Sequence, residues 1–239
     1  MNIEEIRALN QEYTNKSPVE VLRWTLGHLH PDVAFASSFG AEDVVVIDMM
    51  VRINPTSRIF TLDTGRLNQE TYDVIDEIRN KYKINIEVMF PNHDEVENMV
   101  RTHGMNLFYQ NIDNRKLCCG VRKVNPLNRM LETLKGWITG IRSDQTQNRI
   151  QSNKFELDEP HGGILKINPI INWKWEQVLE YITKYNVPYN KLLDRGYPSI
   201  GCEPCTRAIK PGEDLRAGRW WWENDLQKEC GLHVAHGVK

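Results

Sequence analysis

Five cysteines fall into a pattern of two, two and one. Cys118 and Cys119 are adjacent in RKLCCGVRK, Cys202 and Cys205 form a C-x-x-C pair in SIGCEPCTR, and Cys230 stands alone in KECGLH near the carboxyl end. Four thiolates are enough to close one soft-metal site, which leaves a single thiol to react. Taken alone, C-x-x-C reads as half a zinc site, a dithiol redox pair or part of an iron–sulfur site. A second pair far upstream favours one shared four-thiolate site. Zinc ligands usually come about two to four residues apart, whereas adjacent cysteines more naturally reach two irons of a cluster. An iron–sulfur cluster is therefore the first reading, zinc the second and buried, unliganded thiols the third.

Basic residues lie beside both pairs. Arg115, Lys116, Arg122 and Lys123 flank the first, and Arg207, Lys210, Arg216 and Arg219 follow the second. Such runs are commonly solvated surface. Two of them, each beside a thiolate pair, suggest an anion pocket next to the metal, because arginine recognises phosphate and sulfate bidentately. The segment Ser37-Ser38-Phe39-Gly40-Ala41-Glu42-Asp43 lies between a strand and a helix. Turns of that kind aim backbone N–H groups and a helix N-terminus at an anion. It lacks the G-x-x-x-x-G-K-[ST] of a triphosphate-binding loop. Leu62-Asp63-Thr64-Gly65-Arg66-Leu67 ends the next strand, and both turns belong on the ligand face of an open α/β sheet.

The elements that must carry these residues alternate. Helical patterns cover Ile3 to Tyr13, Pro18 to Leu29, Ala41 to Val51 and Leu67 to Tyr82; Ser17-Pro18 supplies an N-cap with Pro in the first turn. Short apolar strands are expected at Val33–Ala36, Arg58–Leu62 and Ile84–Met89. Further on come a helix from Asn125 to Leu134, a strand from Gly136 to Ile141 and a polar, irregular loop over 142–163. A strand at Ile164–Ile167 and a helix from Trp173 to Tyr185 complete the pattern. Strands separated by helices predict βαβ units and a mostly parallel sheet flanked by helices. The expected organisation is a nucleotide-binding α/β domain over 1–200. A loop-rich segment over 201–239, part of the same domain, carries the C-x-x-C pair, the Trp run and Cys230. Trp220, Trp221 and Trp222 read first as packing of that segment on the core, and otherwise as a stacking or docking surface.

Composition narrows the classes. With 239 residues, 40% of them hydrophobic, the chain can bury a large core. A net charge of −2 argues against bulk nucleic-acid or anionic-membrane binding. No apolar run reaches bilayer length. The acidic, amphipathic start MNIEEIRALNQEY is unlike a secretory signal, so a cytoplasmic location with reduced thiols is expected.

SSFGAED, LDTGR, CCGVRKVNPL, TGIRSDQT, GCEPCTR, GRWWW and ECGLH, spread over nearly the whole chain, resemble the bacterial iron–sulfur type of assimilatory adenylylsulfate (APS) reductase, within the PAPS/APS reductase family. That resemblance implies an adenine-nucleotide α-hydrolase-like, PP-loop-like fold. It also implies reduction of APS to sulfite and AMP in sulfate assimilation and cysteine biosynthesis, with thioredoxin or glutaredoxin as electron donor. By the same resemblance, Cys118, Cys119, Cys202 and Cys205 would hold a [4Fe–4S] cluster and Cys230 would be the nucleophile. Lys123 would link cluster and sulfate, Arg149, Arg216 and Arg219 would line the substrate site, and Ser37, Ser38, Phe39 and Gly40 would lie against the nucleotide. SSFGAED departs from the SGGxDS-like loop of ATP pyrophosphatases, which disfavours ATP hydrolysis. The Gln147-Asn148-Arg149 stretch is shorter than the family usually has. PAPS or dual specificity is the nearest alternative, although PAPS-specific relatives generally lack the cluster cysteines. A zinc-stabilised nucleic-acid module is a more distant one. His233 and His236 are terminal histidines near Cys230, and the resemblance is compatible with a homo-oligomer.

Overall fold

The computed structural model describes residues 1–145 and 149–223. Two capped helices begin it. In α1 (Ile3–Tyr13) Asn2 and Glu5 form a reciprocal capping box, and in α2 (Pro18–Leu29) Ser17 and Glu20 do the same. Then come β1 (Val33–Ala36), α3 (Ala41–Ile53), β2 (Arg58–Leu62), α4 (Gln69–Tyr82), β3 (Glu87–Met89) and α5 (His93–His103). Next α6 (Ile112–Cys119) runs through a π-helical turn, Gly120–Val124, into α7 (Asn125–Leu131). The chain continues with β4 (Gly136–Ile138), β5 (Phe155–Asp158), β6 (Ile164–Ile167) and α8 (Trp175–Tyr185).

The six strands form one sheet in the order β3-β2-β1-β4-β6-β5, parallel except for β5. The mostly parallel α/β expectation holds. Apolar strands covered on both faces explain the core: Val33 and Phe35 point to one side with α2, α3 and α8, while Ala34 and Phe60 pack on α7 and Trp137. The chain leaves β1 toward β2 and β3, then returns to place β4 on the other flank of β1. The loops after β1 and β4 therefore part at a switch point, where open α/β sheets bind ligands.

Residues 142–163 are not an irregular loop throughout, because β5 lies within them and pairs antiparallel with β6. Its charges hid it. Glu156 is buried against Lys166 at 3.3 Å, and Asp158 accepts from Trp137 Nε1 at 2.7 Å. Asn10 of α1 then bonds both the Phe155 amide and its carbonyl, closing the outer edge of the sheet. Residues 84–86 fall outside β3, and α4 begins at Gln69. Helices α5 and α6 were absent from the sequence reading. Among the described residues no helix is long and apolar enough to cross a membrane.

Candidate functional site

At the carboxyl edge of β1 and β4 a cleft of about 210 Å³ opens. Ser37, Ser38, Gly40, Lys123, Arg149, Arg216 and Arg219 all line it, so side chains spread over 180 positions of sequence meet around one space. Phe39 is a correction. Its side chain is fully buried in the core and its φ is +58°, so it serves to turn the chain and presents no ring to the cleft.

The turn after β1 is closed on a carboxylate of its own. Ser38 donates its amide to Asp43 Oδ2 at 2.6 Å and its hydroxyl to the same oxygen at 2.8 Å, while Phe39 donates its amide to Ser37 Oγ at 3.0 Å. The sequence suggested that these amides would cradle an external anion; in the structure Asp43 takes the Ser38 amide and Ser37 Oγ takes the Phe39 amide. Burial pushes the Asp43 carboxyl up to about 6, against the pull of the Ser38 donors. Gly140, just after β4, makes this packing feasible. A Cβ there would stand 2.2 Å from Asp43 Oδ1.

Cationic side chains supply the charge that the turn does not. Arg142, which sequence reasoning did not single out, is almost wholly buried and lines the cleft. Glu42 holds it, accepting from Nε at 3.1 Å, and Asp144 pairs with Nη1. Gln145 donates to Glu42 Oε1 at 2.8 Å, and its own carbonyl oxygen accepts from Arg149. Glu42 thus organises the loop after β4 so that Arg142 and Arg149 face the same space. The signal was present in TGIRSDQT, which the sequence reading used only as a motif. Trp175 and Tyr189 add aromatic surface to the lining, with the Arg142 guanidinium 5.5 Å over the Trp175 ring.

Beside the cleft lies a second cavity. Cys118, Cys119, Cys202 and Cys205 all line it, with Phe108, Arg115, Arg122 and Trp220. The first pair sits where α6 passes into the π-helical turn, a local register change of a kind common at functional sites. The second pair sits on a 3₁₀ turn, Glu203–Cys205, with Pro204 in its first turn. The LDTGR turn joins the two. Thr64 Oγ1 lies 3.3 Å from Cys202 Sγ, Arg122 donates to the Thr64 carbonyl at 2.6 Å, and Glu203 donates its amide to the Arg66 carbonyl at 2.8 Å.

Charge differs among these sulfurs. Burial raises the Cys202 thiol, but Lys123 above all, with Thr64, Arg219 and Arg122, outweighs it and holds the thiol below its ordinary value. Burial raises Cys118, and burial together with the neighbouring Cys202 pushes Cys205 up to about 12. Among the described residues no group of three or more Cys, His, Asp and Glu closes at single-ion spacing. Zinc needs four sulfurs at about 2.3 Å from one point, whereas a four-iron cluster spreads its thiolates over separate irons. Two buried donors on the cavity wall, Arg122 Nε and Trp220 Nε1, have no hydrogen-bond partner. Inorganic sulfides accept such donors, so the residues present suit a cluster better than a zinc ion.

Cleft and cavity share a wall. Lys123, Arg219 and Trp220 line both. Arg219 passes over Gly201, where a Cβ would meet its Nη2 at 2.3 Å, and reaches the Ile200 carbonyl at 3.3 Å. Cys230, His233 and His236 lie outside the described residues.

Residues 32–208 match the family described as the phosphoadenosine phosphosulfate reductase domain. An adenosine 5'-phosphosulfate reductase of Burkholderia cepacia is 45% identical over 235 residues, covering 98% of this chain and 94% of that protein. A solved phosphoadenylyl-sulfate reductase from Candida auris, in complex with phosphate, superposes with a TM-score of 0.75 at 32% identity, over 87% of this chain and 98% of its own. A Candida glabrata FMN adenylyltransferase shares the fold, with a TM-score of 0.55 at 14% identity over 92% of this chain and 75% of its own.

Proposed function

The chain belongs to the phosphoadenosine phosphosulfate reductase family, and from that premise we propose that it reduces adenosine 5'-phosphosulfate to sulfite and AMP with thioredoxin as electron donor. The observation that carries this reading is the shared wall. Lys123 and Arg219 stand between a cleft of about 210 Å³ at the sheet's switch point and a cavity lined by four cysteines.

The nucleotide occupies the cleft at the switch point, and its phosphosulfate faces Lys123, Arg149, Arg216 and Arg219. Cys118, Cys119, Cys202 and Cys205 would hold a [4Fe–4S] cluster, which would supply a fixed charge distribution to the shared wall while thiols carry the electrons. The Cys230 thiolate attacks the sulfonyl sulfur, the sulfur–oxygen bond to phosphate breaks, and AMP departs with that electron pair. A cysteine S-sulfonate remains on the chain. A thioredoxin thiolate then attacks Cys230 Sγ and expels sulfite, and the second thioredoxin thiol resolves the mixed disulfide, restoring Cys230 as thioredoxin is oxidised. Negative charge grows on the phosphate oxygens as AMP leaves, so cations already in place lower that barrier. Glu42 and Gln145 keep Arg142 and Arg149 in position for this without reorganisation.

Incubation with APS labelled with ³⁵S tests the reading. The wild-type chain should retain label, release it to reduced thioredoxin as sulfite, and lose all labelling in Cys230→Ser. A wild type that captures no label while binding AMP would sink it. The Candida auris relative, named for phosphoadenylyl sulfate, makes that nucleotide the second substrate to assay. A kcat/KM higher for PAPS than for APS would reverse the assignment.

A further inference from the structure

Arg219 belongs to the wall that cleft and cavity share, and it is 7% exposed. Two glycines set its place. The first fixes its backbone. Thr206 and Arg219 form an antiparallel bridge, with the Arg207 amide on the Gly218 carbonyl at 3.0 Å and the Trp220 amide on the Cys205 carbonyl at 3.2 Å. A Cβ on Gly218 would stand 2.2 Å from the Arg207 carbonyl oxygen, so the two segments meet in this register because residue 218 has no side chain. Arg219 therefore starts from a fixed point beside the C-x-x-C pair.

The second glycine clears the path of the guanidinium. That group crosses Gly201, donates to the Ile200 carbonyl at 3.3 Å and stands 4.7 Å over the Trp220 ring. A Cβ on Gly201 would lie 2.3 Å from Nη2 and 2.6 Å from Cζ, against the roughly 3.5 Å that packed atoms keep. Gly201 is not among the residues of positive φ, so this contact alone excludes a side chain. The backbone there is held: its amide donates to Thr206 Oγ1 at 3.1 Å, and its carbonyl accepts from Asn68 Nδ2 at 3.3 Å. Two residues on, the Glu203 amide is bonded to the Arg66 carbonyl. The long side chain is the part that would yield. A cation stabilises a developing charge only if it is in place beforehand, so a displaced guanidinium loses most of its effect.

We propose that Gly201 is a positioning residue for the transfer step: its bare Cα is the gap through which Arg219 reaches the wall between cleft and cavity. The inference rests on the reading of the cleft as the APS site. The test uses the full chain purified anaerobically, as Gly201→Ala, Arg219→Lys and the two combined. Gly201→Ala should lower kcat/KM for APS by about 10- to 100-fold and keep its iron. Added to Arg219→Lys, the same change should cost less than about threefold, because lysine is one atom shorter and has no planar fork to collide with the methyl. A further readout needs no substrate. Phenylglyoxal, followed by peptide mass spectrometry, should label Arg219 several-fold faster in Gly201→Ala than in wild type. Equal losses in the arginine and lysine backgrounds would overturn the proposal, and so would either turnover or labelling staying at its wild-type rate in Gly201→Ala. Loss of iron from Gly201→Ala would overturn it too, because the residue would then act through Cys202. A wild type that does not turn over APS would instead count against the reading of the cleft, and labelling would still report whether Gly201 places the arginine.

Discussion

The cleft and the cysteine cavity are neighbours built on opposite principles. The cleft takes its walls from loops at the ends of parallel strands, and within those loops Asp43 occupies the donors of Ser38, and Glu42 occupies Arg142 and Gln145. The cavity takes its walls from a helix with a π turn and from a 3₁₀ turn, and it leaves Arg122 Nε without a partner, as it does Trp220 Nε1 on the wall that it shares with the cleft. A self-satisfied wall is preorganised and accepts a ligand without rearranging. A buried wall with unmatched donors carries a desolvation penalty that a guest must relieve. The contrast teaches how each wall is held: the cleft's loops by carboxylates of their own, the cavity by a helix and a turn that bring four sulfurs together.

Removing one cavity thiol should break the contrast most severely. Cys202→Ser is expected to lose bound iron and all turnover, and to destabilise the segment around Glu203–Cys205, whose partners include Thr64 and Arg66. The cleft should survive, so AMP affinity falls little. Iron analysis and calorimetric titration with AMP check this; retained iron with normal turnover would deny the cavity its role.

Lys123→Ala probes the shared wall. Losing a preorganised cation at a developing charge is expected to lower kcat by about 10²- to 10³-fold, near 3–4 kcal/mol of barrier. Arg216→Ala touches the cleft alone and should act chiefly through KM. Equal effects of the two on kcat and KM would erase the distinction between wall and cleft.

How far each region could be read from sequence follows from the same difference. Strands β1, β2 and β6 and helices α1 and α2 were legible, because apolar periodicity and capping residues report burial directly. Strand β5 was not: Phe155 and Leu157 face the core, but the alternate positions carry the buried Glu156 and Asp158, whose pairing with Lys166 and Trp137 is a tertiary fact. The cysteines were legible by count, and the cavity they line is where the structure brings them together. The role of Phe39 was misread because a positive φ cannot be seen in an SSFG string. Arg142 and Glu42 were passed over because a buried ion pair across 100 positions leaves no local pattern.

Asp43 tests the cleft's self-satisfaction through pH. Its folded value of about 6 lies above its ordinary 3.8, so between those limits the native state binds more protons than the unfolded chain. Stability from this group therefore falls as pH rises from about 4 to about 6, and the penalty is complete above that. Asp43→Asn keeps an acceptor for the Ser38 amide and cannot ionise. Its stability relative to wild type should improve by roughly 3 kcal/mol between pH 4 and pH 7, following the size of the shift. Denaturant titrations across that range measure it, and a pH-independent difference would mean that Asp43 is ionised throughout in the native state.

The smallest effect is expected at Trp221, and it sharpens the boundary of the cavity. Trp220 is 1% exposed and belongs to the cysteine cluster, whereas Trp221 is 40% exposed and meets Tyr109 and Trp222 only at their ring edges. Trp220→Ala should cost about 3–5 kcal/mol, the range for an aromatic side chain lost from a core. Trp221→Ala should cost about 1 kcal/mol or less, because its ring is left largely in water and its aromatic contacts are each worth about that much. Thermal melts with and without AMP compare the two. If both variants lose stability alike, the run packs as one unit and the cavity wall extends to Trp221. If Trp221→Ala leaves stability and sulfonation intact yet slows release of sulfite by thioredoxin, the exposed ring belongs to the surface that receives the reductant.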